Sequence, residues 1–238
     1  MLFHVGGGRI AATPMILAAL LGAAPALAGS FAVSPVNVEL APGQAGTEIR
    51  IDNADRAPVA VRVSLRRWTQ QDGRDVAQPT RDVIASPPIF TLQPGARQLI
   101  RLGLRKRVPG AAYRVLIDEI PGPHAPGTGI KVALKLDLPF YVVASKDAKP
   151  ALDWTARRDP AGNMWVEAHN SGALHSKVVG IEAQDAASHR LGGTTAMGVV
   201  LPASARRWNL GRIDGQVAQL VVRSPQGEQR SPVVVERP

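Results

Sequence analysis

The chain has 238 residues, 4% of them aromatic, with 20 prolines, 23 glycines and no cysteine. This composition excludes disulfides, thiolate metal sites and cysteine nucleophiles, and it favours many short strands joined by turns over a helical bundle. The formal net charge of +9 fits a solvated surface or steering towards an acidic protein or a carboxylate, and with no basic run longer than Arg105-Lys106-Arg107 it argues less for a nucleic acid.

The chain opens with Arg9, an apolar run over residues 15–21, Pro25, and the small-x-small site Ala26-Leu27-Ala28. This is the pattern of a secretory signal peptide over residues 1–28. The run is too short for a permanent span, and no later run reaches the roughly 18 apolar residues that a bilayer requires. The expectation is an exported chain without membrane insertion, carrying +8 once Arg9 is removed from the +9 total.

Residues 31–40 read as an edge strand, because Pro35 cannot donate to a ladder. Ala41-Pro42-Gly43-Gln44 is a turn, and residues 47–53 alternate through Ile49 and Ile51. Residues 59–67 place Val59, Val61, Val63 and Leu65 on one face and Arg62, Ser64 and Arg66 on the other. The stretch 71–86 is polar and turn-rich. After Gln93-Pro94-Gly95-Ala96, strands are predicted over 98–104 and 113–120, the latter with Tyr113, Val115 and Ile117 on one face. Residues 130–143, IKVALKLDLPFYVV, follow a Pro/Gly-rich loop and alternate Val132, Leu134, Leu136 and Leu138 with Ala133, Lys135 and Asp137.

About seven strands in this spacing predict a β-sandwich. Residues 144–150 read as a linker, and 151–238 repeat the strand style with turns at Asn170-Ser171-Gly172, Gly192-Gly193 and Asp214-Gly215. The expected fold is all-β: an N-terminal domain over 29–145 and a C-terminal domain over 146–238, each with its own core.

No catalytic constellation can be assembled, and neither a cofactor motif nor a metal set is present in the sequence. His169 and His175 flank a turn without a third ligand nearby. Asp118 and Glu119 are neighbours on a strand, so they point to opposite faces.

The order FAVSPVNVEL, IDN, SPPIFTLQPGARQLIRL, YRVLIDEIP and VALKLDLPFYV resembles the periplasmic pilus-assembly chaperones of chaperone/usher systems. YRVLIDEIP with LDLPFYV is most similar to the divergent, archaic branch. The resemblance implies two immunoglobulin-like domains set at an angle around a cleft, and binding of an incompletely folded pilus subunit that is passed to an outer-membrane usher. It implies donor-strand residues Ile130, Val132, Leu134, Leu136 and Leu138.

The best-known members hold the subunit's C-terminal carboxylate with an arginine and a lysine, which by position fall near Asn37 and Pro139 here. Neither is basic, so Arg114 is the first candidate for that role and Lys135 the second, arginine being suited to a two-bond grip on a carboxylate. Arg101, Glu119 and Asp214 match positions that support the cleft and the interdomain contacts. Two other readings fit an exported all-β chain: a structural pilin or adhesin, and a polyanion-binding module.

Overall fold

The computed structural model describes residues 31–122 and 133–236. Among these residues the first domain has ten strands: β1 (Phe31–Ser34), β2 (Val38–Leu40), β3 (Gly46–Asn53), β4 (Val59–Gln71), β5 (Arg74–Pro79), β6 (Val83–Ser86), β7 (Ile89–Leu92), β8 (Arg97–Leu104), β9 (Ala112–Ile120) and β10 (Lys135–Val142). They form two sheets, β1-β3-β8-β6 and β2-β10-β9-β4-β5, with β7 also on β4.

The alternating apolar positions close the space between the sheets. Ile49, Ile51, Val61, Ile100, Tyr113, Val115, Ile117 and Phe140 are all buried there. At one corner the buried Asn53 amide donates to the carbonyls of Ala57, Leu92 and Gln93, and its Oδ1 accepts from Asp55 N–H.

Two local readings change. Residues 31–40 are not one strand: β1 pairs antiparallel with β3, whereas β2 pairs parallel with β10. Pro35 interrupts the ladder, and the chain crosses from one sheet to the other there. The polar stretch after residue 71 also contains β5 and β6. Asp72 and Gly73 have φ of 51° and 74°, the geometry of a two-residue hairpin turn that an Asp-Gly pair adopts readily.

The second domain has strands β11 (Leu152–Arg158), β12 (Asn163–Asn170), β13 (Ser176–Val178), β14 (Gly180–Gln184), β15 (Arg190–Thr194), β16 (Gly198–Val200), β17 (Ser204–Arg212), β18 (Gln219–Ser224), β19 (Gly227–Pro232) and β20 (Val235–Glu236). Their sheets run β17-β12-β11-β20, β15-β14-β18-β19, and the pair β13-β16. Trp154, Met164, Val166, Ile181, Trp208 and Leu220 belong to a separate core. Asn170 repeats the device of Asn53. It is fully buried, donates to the Leu174 and Val200 carbonyls, and accepts from the N–H groups of Ala151 and Gly172.

The domains meet along a small apolar seam. Trp68, Ala112 and Tyr141 of the first domain pack with Leu201 of the second, Val199 beside them. Polar contacts frame it: Gln70 Nε2 donates to the Val199 carbonyl at 2.6 Å, and Gln70 Oε1 accepts from Leu201 N–H at 3.0 Å. Asp75 pairs with Arg206, and Arg207 N–H donates to the Gly73 carbonyl. His175 stacks on Tyr141 with ring centroids 3.6 Å apart and planes 8° from parallel. The β4–β5 hairpin thus lies against the second domain.

Candidate functional site

The site is built on β10 and the face of the sheet around it. β10 pairs with β9 along Lys135 to Tyr141. On its other side β2 covers Phe140, Tyr141 and Val142 alone. The backbone from Lys135 to Pro139 therefore has an edge without a partner strand among the described residues, apart from Pro139, whose nitrogen carries no hydrogen.

Glu119 fixes the place where this strand begins. Its carboxylate accepts from Leu134 N–H at 3.1 Å, and its own N–H donates to the Leu134 carbonyl at 2.9 Å. Side chains then alternate. Leu134 and Leu136 are half-buried at the margin of the first-domain core, whereas Leu138 is 7% exposed and sits within that core. Leu138 is committed to its own domain. Ile130 and Val132 lie outside the described residues.

The opposite face is charged at one end and apolar at the other. Its cross-strand rows are Arg62, Asp118 and Lys135; Ser64, Leu116 and Asp137; Arg66, Arg114 and Pro139; and Trp68, Ala112 and Tyr141. The last row is the seam with the second domain. Arg114 stands one row away, with Nε donating to Asp137 Oδ1 at 2.7 Å and its guanidinium 4.7 Å from the centre of the Trp68 ring. Such a fixed, stacked guanidinium is suited to a planar carboxylate. Lys135 is exposed two rows further on.

Trp68 is itself pinned, since its Nε1 donates to Asp75 Oδ1 at 3.0 Å. Burial opposes ionisation of the Asp75 carboxyl, but hydrogen bonds from Gln70, Arg206 and Trp68 outweigh it and hold the group below the usual carboxylate range. Burial pushes the Tyr141 phenol well above its ordinary range. It also lowers His175, partly opposed by the Glu39 carboxylate, which lies 3.9 Å from Nε2.

Arg101, Glu119 and Asp214 stand at three separate places. Arg101 pairs with Glu48 on the outer face of the other first-domain sheet, Glu119 holds Leu134, and Asp214 is exposed beside Arg212. The domains are joined instead by Trp68, Gln70, Asp75, Tyr141, His175, Leu201 and Arg206. A signal for two of these was present in the pattern: Trp68 and Tyr141 fall on the polar faces of β4 and β10, where a large aromatic implies cover from elsewhere. Among the described residues, no group of three or more His, Cys, Asp or Glu is placed to hold a metal.

Residues 30–143 match the family model for the pili and flagellar-assembly chaperone, PapD N-terminal domain. No curated protein matches the chain by sequence. Among solved structures, a chain from the CsuC–CsuE chaperone–tip adhesion subunit pre-assembly complex of archaic chaperone-usher Csu pili of Acinetobacter baumannii superposes with a TM-score of 0.70 at 18% identity, covering 87% of this chain and 100% of that one. A chain from the Salmonella enterica SafA pilin–SafB chaperone complex gives 0.61 at 14% identity, with 86% and 96% covered. The E. coli chaperone DraB gives 0.57 at 14% identity, with 86% and 97% covered. These likenesses show a shared two-domain all-β fold. The first domain thus matches the model of the pili and flagellar-assembly chaperones, and the chain as a whole shares the two-domain all-β fold of these structures.

Proposed function

We propose that this protein is a non-enzymatic periplasmic chaperone that binds an incompletely folded pilus subunit by lending it β10 and the segment before it, and then delivers the subunit to an outer-membrane usher. The observation that carries this reading is the unpaired edge from Lys135 to Pro139 with Leu134 and Leu136 only half-buried beside it. An exposed strand edge is an association hazard unless a partner uses it. A guest strand added there gains backbone hydrogen bonds, and each apolar side chain it fully covers contributes roughly 1.5 to 3 kcal/mol.

In this reading Leu134 and Leu136, with Ile130 and Val132 ahead of them, fill the guest's groove, and Leu138 supports the strand from inside. Arg114 receives the guest's terminal carboxylate, and Lys135 is the second cation within reach of the same edge. Export by residues 1–28 belongs to the same reading, as does its place among the archaic-type members. Support comes from the family of the first domain and from the structural likeness to chaperones solved with a pilin or a tip adhesin.

The test is co-purification from the periplasm of the wild-type chain and of a variant carrying Leu134→Glu and Leu136→Lys. Thermal unfolding of both checks that the free protein folds. The wild type carries a small all-β subunit and the folded variant does not; undiminished capture by that variant would sink the donor-strand role.

A further inference from the structure

Arg114 has a second guanidinium directly beside it. Arg66 is its register partner on β4, is exposed, and makes no ion pair among the described residues. Like charges facing each other across a strand pair are unfavourable, so this row calls for an acid. Asp137, one row along, supplies it. Its Oδ1 accepts from Arg114 Nε at 2.7 Å, and Arg114 Nη2 reaches the Asp137 backbone oxygen at 3.4 Å.

We propose that Asp137 is an internal stand-in carboxylate that occupies Arg114 in the empty protein, and that an incoming carboxylate competes with it for a seat shared by Arg114 and Arg66. The inference rests on the reading of Arg114 as a carboxylate seat given above.

Geometry and charge both support it. Asp137 engages Nε and one N–H of Nη2, so the two N–H groups of Nη1 and the second of Nη2 are left for another acceptor. Trp68 beneath the guanidinium keeps its plane in place while the acceptors exchange. The Asp137 charge repels a free carboxylate at the seat, which weakens any small carboxylate that has nothing else to bind. A ligand that also pairs its backbone with the open edge of β10 gains enough from the strand to overcome the repulsion. Selectivity therefore comes from a repulsive element built into the strand.

Acetate tests this, because it has a carboxylate and no strand. It is titrated into the full chain at constant, low ionic strength, with the Nε–Hε NMR signals of Arg66 and Arg114 as the readout. Wild type is compared with Asp137→Asn, and with Asp118→Asn as a control that removes the same charge from the same face. Asp137→Asn is expected to lower the half-saturating acetate concentration about fivefold, as for removal of one charge from a partly exposed pair, while Asp118→Asn changes it less than about twofold. Equal or weaker binding in Asp137→Asn, or an equal gain in Asp118→Asn, overturns the stand-in role. Acetate that shifts neither arginine in any variant overturns the seat. Each of these failures leaves the co-purification test of Leu134 and Leu136 standing on its own result.

Discussion

Replacing Trp68 by alanine removes the largest side chain at the seam between the domains. Trp68 is 4% exposed and packs with Ala112, Tyr141 and Leu201. A tryptophan buries on the order of 200 Å², which at about 25 cal/mol per Å² amounts to about 5 kcal/mol. Measured Trp→Ala costs of about 3 to 5 kcal/mol agree. The lost Nε1 bond to Asp75 adds about 1 kcal/mol, since Asp75 keeps Gln70 and Arg206 as partners.

Scanning calorimetry distinguishes where this loss falls. Each domain has its own core, so the second domain should survive separation, and the alanine variant should melt in two transitions. The first of these is expected roughly 8 to 24 °C below the wild-type midpoint, from about 4 to 6 kcal/mol in all at about 2 to 4 °C per kcal/mol for a chain of this size. Trp68→Phe keeps most of the contact and loses the N–H donor, so it should cost about 1 to 2 kcal/mol. One cooperative transition in the alanine variant, within about 2 °C of wild type, would refute the claim that Trp68 holds the domains together.

Asn170→Ala leaves the N–H groups of Ala151 and Gly172 and two carbonyls without their buried partner, and should cost about 2 to 4 kcal/mol in urea unfolding. Stability should also fall on acidification through His175. Its folded pKa lies below the usual 6.5, so the unfolded chain binds the proton first; stability is fully present above that value and declines as pH drops through it. Comparing urea midpoints near pH 7.5 and pH 5.5, His175→Gln should show a shallower loss than wild type; an identical loss removes His175 as the cause.

The alternation of Val59, Val61 and Val63, and of Tyr113, Val115 and Ile117, announces strands because one face of each must be buried, and these residues line the first core. The hairpin of β4 and β5 is hidden by its composition. Arg74 to Pro79 has little apolar pattern, for its strand is held by pairing to β4 and by Asp75 reaching Arg206, 131 residues away in the chain. Arg114 is singled out as a candidate by the motif order, whereas Arg66 comes to stand beside it only through the register of β4 on β9. Leu138 reads the same as Leu136 along the strand. Their difference in burial arises where the sandwich closes over β10, a matter of neighbours and not of local sequence.

The crossing of the chain at Pro35 works as a ruler. β2 begins at Val38, opposite Phe140. Continued backwards in the same register, it would set Asn37 against Pro139 and Val36 against Leu138. Val36 is instead 63% exposed, and the parallel neighbour stops short. Among the described residues, the length of β10 edge left open from Lys135 to Pro139 is therefore fixed by where the first strand leaves one sheet for the other. A change in the Pro35 region that lengthened β2 by two residues would shorten that open edge by the same two, without altering a single side chain on β10.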